Sequence, residues 1–148
     1  MIFVERESTQ DFPADLLEHA AQAVLDLSGV ADGDLTIVLV DDLRIQALNR
    51  EFLHNDAPTD VLSFPAEESD PETGRRYFGD VAISFARAAE QAAERGHAVE
   101  AEMQLLVVHG VLHLLGHDHA GAGEKAHMWA AQAQILERLG VSPTIVHE

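Results

Sequence analysis

The chain has 148 residues and a mass of 16.1 kDa, of which 47% are hydrophobic and 24% charged, a composition that supports one core of ordinary size and excludes disordered and fibrous classes. Its 26 acidic side chains against 9 basic ones give a formal charge of −17, which excludes a broad basic nucleic-acid surface; any phosphate contact must come from a local patch, a metal ion or a partner. The absence of cysteine excludes disulfides and thiolate ligands.

A single domain over residues 1–148 is expected. The opening MIFVERESTQ carries acidic residues and lacks the apolar stretch of a signal peptide. The longest apolar run, Leu105 to Leu115, is broken by His109 and His113 and falls short of the about 20 residues that a bilayer requires. A cytoplasmic protein is therefore expected.

In chain order, Ile2 to Glu5 alternates weakly as a short strand, and Pro13 to Leu27 repeats Leu16, Leu17, Ala20, Ala21, Val24 and Leu27 at a helical period that stops at Ser28-Gly29. Leu35 to Val40 is a β-branched run with only Thr36 as a polar break, which places it centrally in a sheet. Asp41 or Asp42 then caps a helix carrying Leu43, Ile45, Leu48 and Phe52. Asp56 to Thr59 forms a turn, and Asp60 to Phe64 a strand closed by Pro65. Ala66 to Tyr77 is polar, with Pro71 and Gly74, and reads as a long loop joining two strands as an extended hairpin would. Its Arg75-Arg76 doublet is read as a surface pair balanced by Glu67, Glu68 and Asp70. Phe78 to Ser84 is a strand, Phe85 to Arg95 a helix ended by Gly96, Val99 to Leu115 a buried helix, and Lys125 to Leu139 a closing helix with Met128, Trp129, Ala133, Ile135, Leu136 and Leu139 apolar. The expected fold is α+β in the order βαβαββααα, a small mixed sheet of about four strands packed with about five helices.

The stretch HGVLHLLGHDH, His109 to His119, concentrates the chemistry. On a helix the i,i+4 pair His109 and His113 leaves one face a turn apart and aims at a common centre. Gly116 lies just past the last apolar turn, where a left-handed glycine can reverse the chain and swing His119 back toward the other two. Three neutral imidazoles with a fourth position open form the ligand set of a catalytic zinc. A lone histidine on an apolar face is more often a packed core residue, so the whole pattern, not either histidine alone, points to metal. The spacing also matches the zinc-peptidase frame HExxHxxGxxH, but Gly110 stands where those enzymes carry their glutamate base.

HGVLHLLGHDH resembles the signature HGxLHLxGxDH of the YbeY family, the bacterial rRNA-maturation endoribonucleases. A second block resembles the family's LNxxYRxxDxPTDVLSFP through Leu48, Asn49, Asp56, Pro58, Thr59, Asp60 and Val61 to Pro65, and Gly79-Asp80 is similar to its GDI-type element. The resemblance implies a mixed four-stranded sheet with a metal cleft beside the histidine helix. His117 is set aside as a ligand, because the family tolerates other residues there and a position adjacent to Asp118 and His119 would aim away. Where many members carry Tyr-Arg, this chain has Phe52-Leu53, so no role transfers to Leu53; Arg50 and His54 are read as solvated helix-end residues. Asp80 is a candidate partner for a histidine ring nitrogen.

The expectation is a zinc-dependent, single-strand-specific endoribonuclease of rRNA processing, acting in 16S rRNA 3′-end maturation and ribosome quality control, with rRNA and the small ribosomal subunit as partners. One zinc ion would be held by His109, His113 and His119, where it could activate water and draw charge from a phosphoryl oxygen. Gly110 is read as leaving room beside the metal while supplying no base. Proton transfer then falls to the activated water, to the substrate's 2′-hydroxyl or to Asp118, the catalytic candidate, which could equally be a turn residue or hold a ligand ring. Two rivals stand beside this reading. One is a zinc metallohydrolase or peptidase of another substrate; the other is a non-catalytic ribosome-assembly module with a structural metal, which the acidic surface and the missing arginine favour.

Overall fold

A computed structural model describes residues 1–7, 12–30, 33–117 and 121–141, and the backbone alone of Glu67. The elements follow in the expected order: β1 (Ile2–Arg6), α1 (Ala14–Leu27), β2 (Gly33–Val40), α2 (Asp42–Leu53), β3 (Val61–Ser69), β4 (Arg76–Ser84), α3 (Phe85–Arg95), α4 (Val99–Leu114) and α5 (Ala122–Arg138). The sheet is ordered β1-β2-β4-β3, with β1 and β4 parallel to β2, and β3 antiparallel to β4. β2 is internal, as its β-branched run predicts.

Alternation along the strands divides the interior in two. Leu35, Ile37 and Leu39 of β2 and Val81 and Ile83 of β4 join the main core with α1, α4 and α5. Val40 and Ala82 point the other way, forming with Leu62 and Ile45 a smaller cluster under α2, against which Val38, Leu48 and Phe64 pack. Each fully buried Leu or Ile contributes roughly 1.5–3 kcal/mol of apolar transfer, so the first cluster dominates stability. α2 presents a narrower face than its sequence predicts. Ile45 and Asn49 are its buried residues, whereas Leu43 and Phe52 are exposed, because this helix covers only part of its side of the sheet.

α4 is buried from Glu102 through Leu112, packed on α1, α3, α5, β3 and β4. The Glu102 carboxylate, fully buried in its first turn, is held by Arg95 Nη1 at 3.2 Å and His97 Nε2 at 2.9 Å, which ties α3 to α4. Breaking such a buried pair leaves an uncompensated charge, so Glu102 fixes where the histidine helix begins.

Several boundaries differ from the sequence reading, with β2 beginning at Gly33, β4 at Arg76 and α5 at Ala122, and the largest change lies in the β3–β4 hairpin. β3 runs through Pro65 to Ser69, because it is an edge strand and its pairing with β4 is irregular between Pro65 and Glu68, where a missing N–H is tolerated. The loop of the hairpin is correspondingly short, centred on Asp70 to Arg75, with Gly74 N–H donating to Asp70 O at 2.8 Å. Arg75 donates to Asp34 Oδ1 at 2.6 Å, while Arg76 lies over the Phe78 ring at 5.0 Å.

Candidate metal centre

The last two turns of α4 carry the site. His109 and His113 stand one turn apart, and their Nε2 atoms face each other at 3.1 Å, with ring planes at 76°. Two nitrogen ligands of a tetrahedral zinc, each about 2.0–2.1 Å from the metal, lie roughly 3.3 Å apart, so the pair has the spacing of a chelate. Among the described residues, no group of three His, Cys, Asp or Glu side chains gathers round a common point. His119, the expected third ligand, and Asp118, the catalytic candidate, lie outside the described residues.

The end of α4 takes the form that the glycine predicts. Gly116 has φ 96°, its N–H donates to His113 O at 3.0 Å, and His117 N–H donates back to Leu112 O at 3.0 Å. These two bonds make a Schellman closure, which satisfies carbonyls of the turn that carries His113. His117 is drawn away from the pair. Its ring stacks on His127 of α5 at 5.4 Å and 9°, and burial first, then the His127 charge, pushes its pKa below the ordinary imidazole value.

His109 is 2% exposed, and its Nδ1 lies 3.0 Å from Oε1 of Gln132, itself buried on α5. An amide oxygen only accepts, so a hydrogen bond here needs the proton on Nδ1. The Trp129 ring meets the same imidazole edge-on at 5.7 Å. The sequence reading assigned a ring partner to Asp80 instead. Asp80 points to the opposite face of the sheet, where it accepts from the Tyr77 hydroxyl and lines a groove with Val38, Val40 and Phe64. Tyr77 also bonds Thr36 at 2.6 Å, and burial, then the bond to Asp80, raises its pKa to about 12.

Gly110 also has a different role from the expected one. A Cβ there would lie 2.6 Å from Val81 Cγ1 and 3.3 Å from both Ser63 Oγ and Val61 Cγ2. The glycine therefore faces the sheet and lets α4 settle on β3 and β4, and the space freed by its missing side chain is taken up by Val81, Ser63 and Val61. The Ser63 hydroxyl donates to Gly110 O at 2.9 Å and seals this contact.

A cleft of about 290 Å³ opens over the histidines, lined by Leu53, Thr59, Asp60, Val61, Leu62, Ser63, Pro65, His109 and His113. Asp60 Oδ1 accepts from Val61 N–H at 2.7 Å, and Oδ2 accepts from the Gln91 amide at 3.1 Å once that amide is oriented to suit its neighbours. Both oxygens are thus engaged in holding the strand start. Leu53 stands at the rim, 55% exposed. Neither Lys nor Arg is among the described residues lining the cleft, and Arg50, one turn earlier, reaches Asp56 at 3.8 Å. His54 caps α2 in the left-handed conformation, φ 58°, and like Arg50 is a helix-end residue.

The family model described as Endoribonuclease YbeY matches residues 3–140. The chain is 44% identical to the Endoribonuclease YbeY of Pelotomaculum thermopropionicum over 131 residues, and 47% identical to that of Carboxydothermus hydrogenoformans over 128, with 86% of each chain covered in both cases. The solution structure of TM1509 from Thermotoga maritima superimposes with a TM-score of 0.61 at 26% identity, over 95% of this chain and 92% of that one.

Proposed function

The chain belongs to the endoribonuclease YbeY family and is thus an RNA-cutting hydrolase of rRNA processing; from that premise we propose that it is zinc-dependent and cleaves single-stranded rRNA segments at the cleft over His109 and His113. The observation that carries this reading is the pair of Nε2 atoms at 3.1 Å on the cleft floor. His109 and His113, with His119 as third ligand, would hold the ion. Bound there, zinc would supply Lewis acidity toward a water molecule and a phosphoryl oxygen.

The chain's own groups do the rest. Gln132 and Trp129 hold the His109 ring in one orientation, and the Schellman closure at Gly116 holds the turn bearing His113. The cleft sides, Val61, Pro65 and Leu53, present apolar surface on which an unstacked base can rest, while Thr59 offers a hydroxyl. Asp60, with both oxygens engaged, does not serve as the base, so proton removal rests with Asp118, with activated water or with the substrate's 2′-hydroxyl.

With neither Lys nor Arg among the described residues lining the cleft, few phosphate contacts are available, which favours delivery of the RNA by the small ribosomal subunit and its proteins. This fits 16S rRNA 3′-end maturation and ribosome quality control in the cytoplasm. Among the described residues, no helix is long and apolar enough to cross a membrane. The peptidase rival loses ground at Gly110, where the Val81 side chain occupies the space that a glutamate would need.

The test is cleavage of a single-stranded and a base-paired RNA by zinc-loaded protein, with His113→Ala as control and casein as a protein substrate. Zinc-dependent cutting of the single strand alone, lost in His113→Ala, is expected. Cleavage that persists in the variant would remove the site assignment, and casein hydrolysis would restore the peptidase.

A further inference from the structure

α5 carries a buried stripe at Met128, Gln132, Ile135 and Leu136, spaced as one helix face that packs on α4. Gln132 is the one polar residue in that stripe, and a polar group in such a place is costly unless bonded. Its Oε1 lies 3.0 Å from His109 Nδ1, and both residues are only 2% exposed.

We infer that Gln132 is a positioning residue: by accepting the Nδ1 proton of His109 it locks that ring in the tautomer that presents the Nε2 lone pair to the cleft before any metal arrives. The inference rests on the reading of His109 as a metal ligand, but the tautomer itself is a property of the metal-free chain. One contact sets the proton position. The Gln132 oxygen can only accept, so Nδ1 must donate; His109 Nε2 then has a lone pair to accept from His113 Nε2–H across 3.1 Å. His109 then needs no change of tautomer to ligate.

Trp129, one helical turn before Gln132 on α5, closes the position. With its ring 5.7 Å from the imidazole and at 80° to it, His109 cannot swing away from the amide without displacing the indole. Trp129 is also the sole tryptophan of the chain, so its fluorescence reports on the surroundings of this imidazole.

The measurement is made first on the full-length, metal-free wild-type protein with ¹⁵N-labelled histidine, at a pH above the imidazole range. Long-range ¹H–¹⁵N correlation should show His109 with a protonated Nδ1 and a pyridine-like Nε2; the opposite tautomer in the wild type overturns the inference without any variant. Gln132→Leu should then mix the tautomers and weaken zinc binding by about 10- to 100-fold in a competition titration followed by Trp129 fluorescence. Gln132→Glu keeps an acceptor at this place and should restore both the tautomer and the affinity. Unchanged tautomer and affinity in Gln132→Leu, or loss of affinity in Gln132→Glu equal to that in Gln132→Leu, would overturn the positioning role. A wild-type protein that shows the expected tautomer yet binds zinc unaltered in His109→Ala would instead sink the ligand reading and leave the Gln132 contact standing.

Discussion

A Cβ at residue 110 would stand 2.6 Å from Val81 Cγ1, so the α4 backbone next to the first candidate ligand is seated on the sheet at closest approach. Valine has no flexible far end to swing aside, and its rotamer is stiff. Gly110→Ala gains about 1 kcal/mol of helix propensity but forces a shift of the kind that costs roughly 1–3 kcal/mol in a packed core. We expect net destabilisation by urea unfolding and weaker zinc binding, since His109 is displaced with the backbone. Val81→Ala in the same chain should recover part of the loss. A Gly110→Ala protein as stable as the wild type would mean that Val81 yields to the added methyl group and does not hold α4 in place.

The site histidines can be separated by metal content. Purified wild type should carry near-stoichiometric zinc, and the His109→Ala/His113→Ala double variant none. His117→Ala should retain the metal, because that ring stacks on His127 on the other side of the turn, whereas His119→Ala should lose it. Equal losses in the two single variants would mean that the reversal at Gly116 delivers the wrong residue.

Much of this arrangement was legible in the sequence, for identifiable reasons. His109 and His113 are locked to a helical spacing, and Gly116 follows the last apolar turn, so convergence of the pair and the closing turn follow from local geometry alone. What depends on which face of a strand meets which helix was not legible. Asp80 and Val81 are neighbours in sequence yet face opposite layers; only the pairing of β4 with β2 and β3 sends Asp80 to Tyr77 and Val81 to Gly110. Pro65 suggested a strand end because edge position cannot be read from one strand by itself. Gln132 carried a signal that was missed: it falls on the apolar spacing of Met128, Ile135 and Leu136, where a polar residue implies a buried partner.

A pH effect follows from Asp34. Hydrogen bonds from Arg75 first, and from the Met1 ammonium second, hold its carboxyl at about 2, against an ordinary 3.8. A depressed folded-state pKa adds stability that is fully present above the unfolded value and disappears as pH falls through the folded one. Asp34→Asn should therefore unfold at lower urea than the wild type at neutral pH, by less than about 1 kcal/mol for a partly exposed pair. The two curves should converge between 3.8 and about 2. A gap that is constant down to the acid end would show that packing at the hairpin, and not the charge, is responsible.

The RNA path can be probed at Leu53. As the last residue of α2, it stands at the cleft rim beside the histidines and is 55% exposed, so replacing it costs little packing. Neither Lys nor Arg is among the described residues lining the cleft, and Arg50 is held toward Asp56, so the wild type should bind single-stranded RNA weakly and with a shallow dependence on salt. Leu53→Arg places a guanidinium where a strand entering the cleft must pass. Each phosphate newly neutralised on a single strand steepens the slope of log affinity against log salt by about 0.7. Anisotropy titrations of a labelled single-stranded oligonucleotide, repeated across a salt series, should show tighter binding at low salt and a slope steeper by about that amount, with zinc content unchanged. If the slope stays that of the wild type while the protein remains folded and metal-loaded, RNA does not run past Leu53, and the strand must reach the histidines from another side.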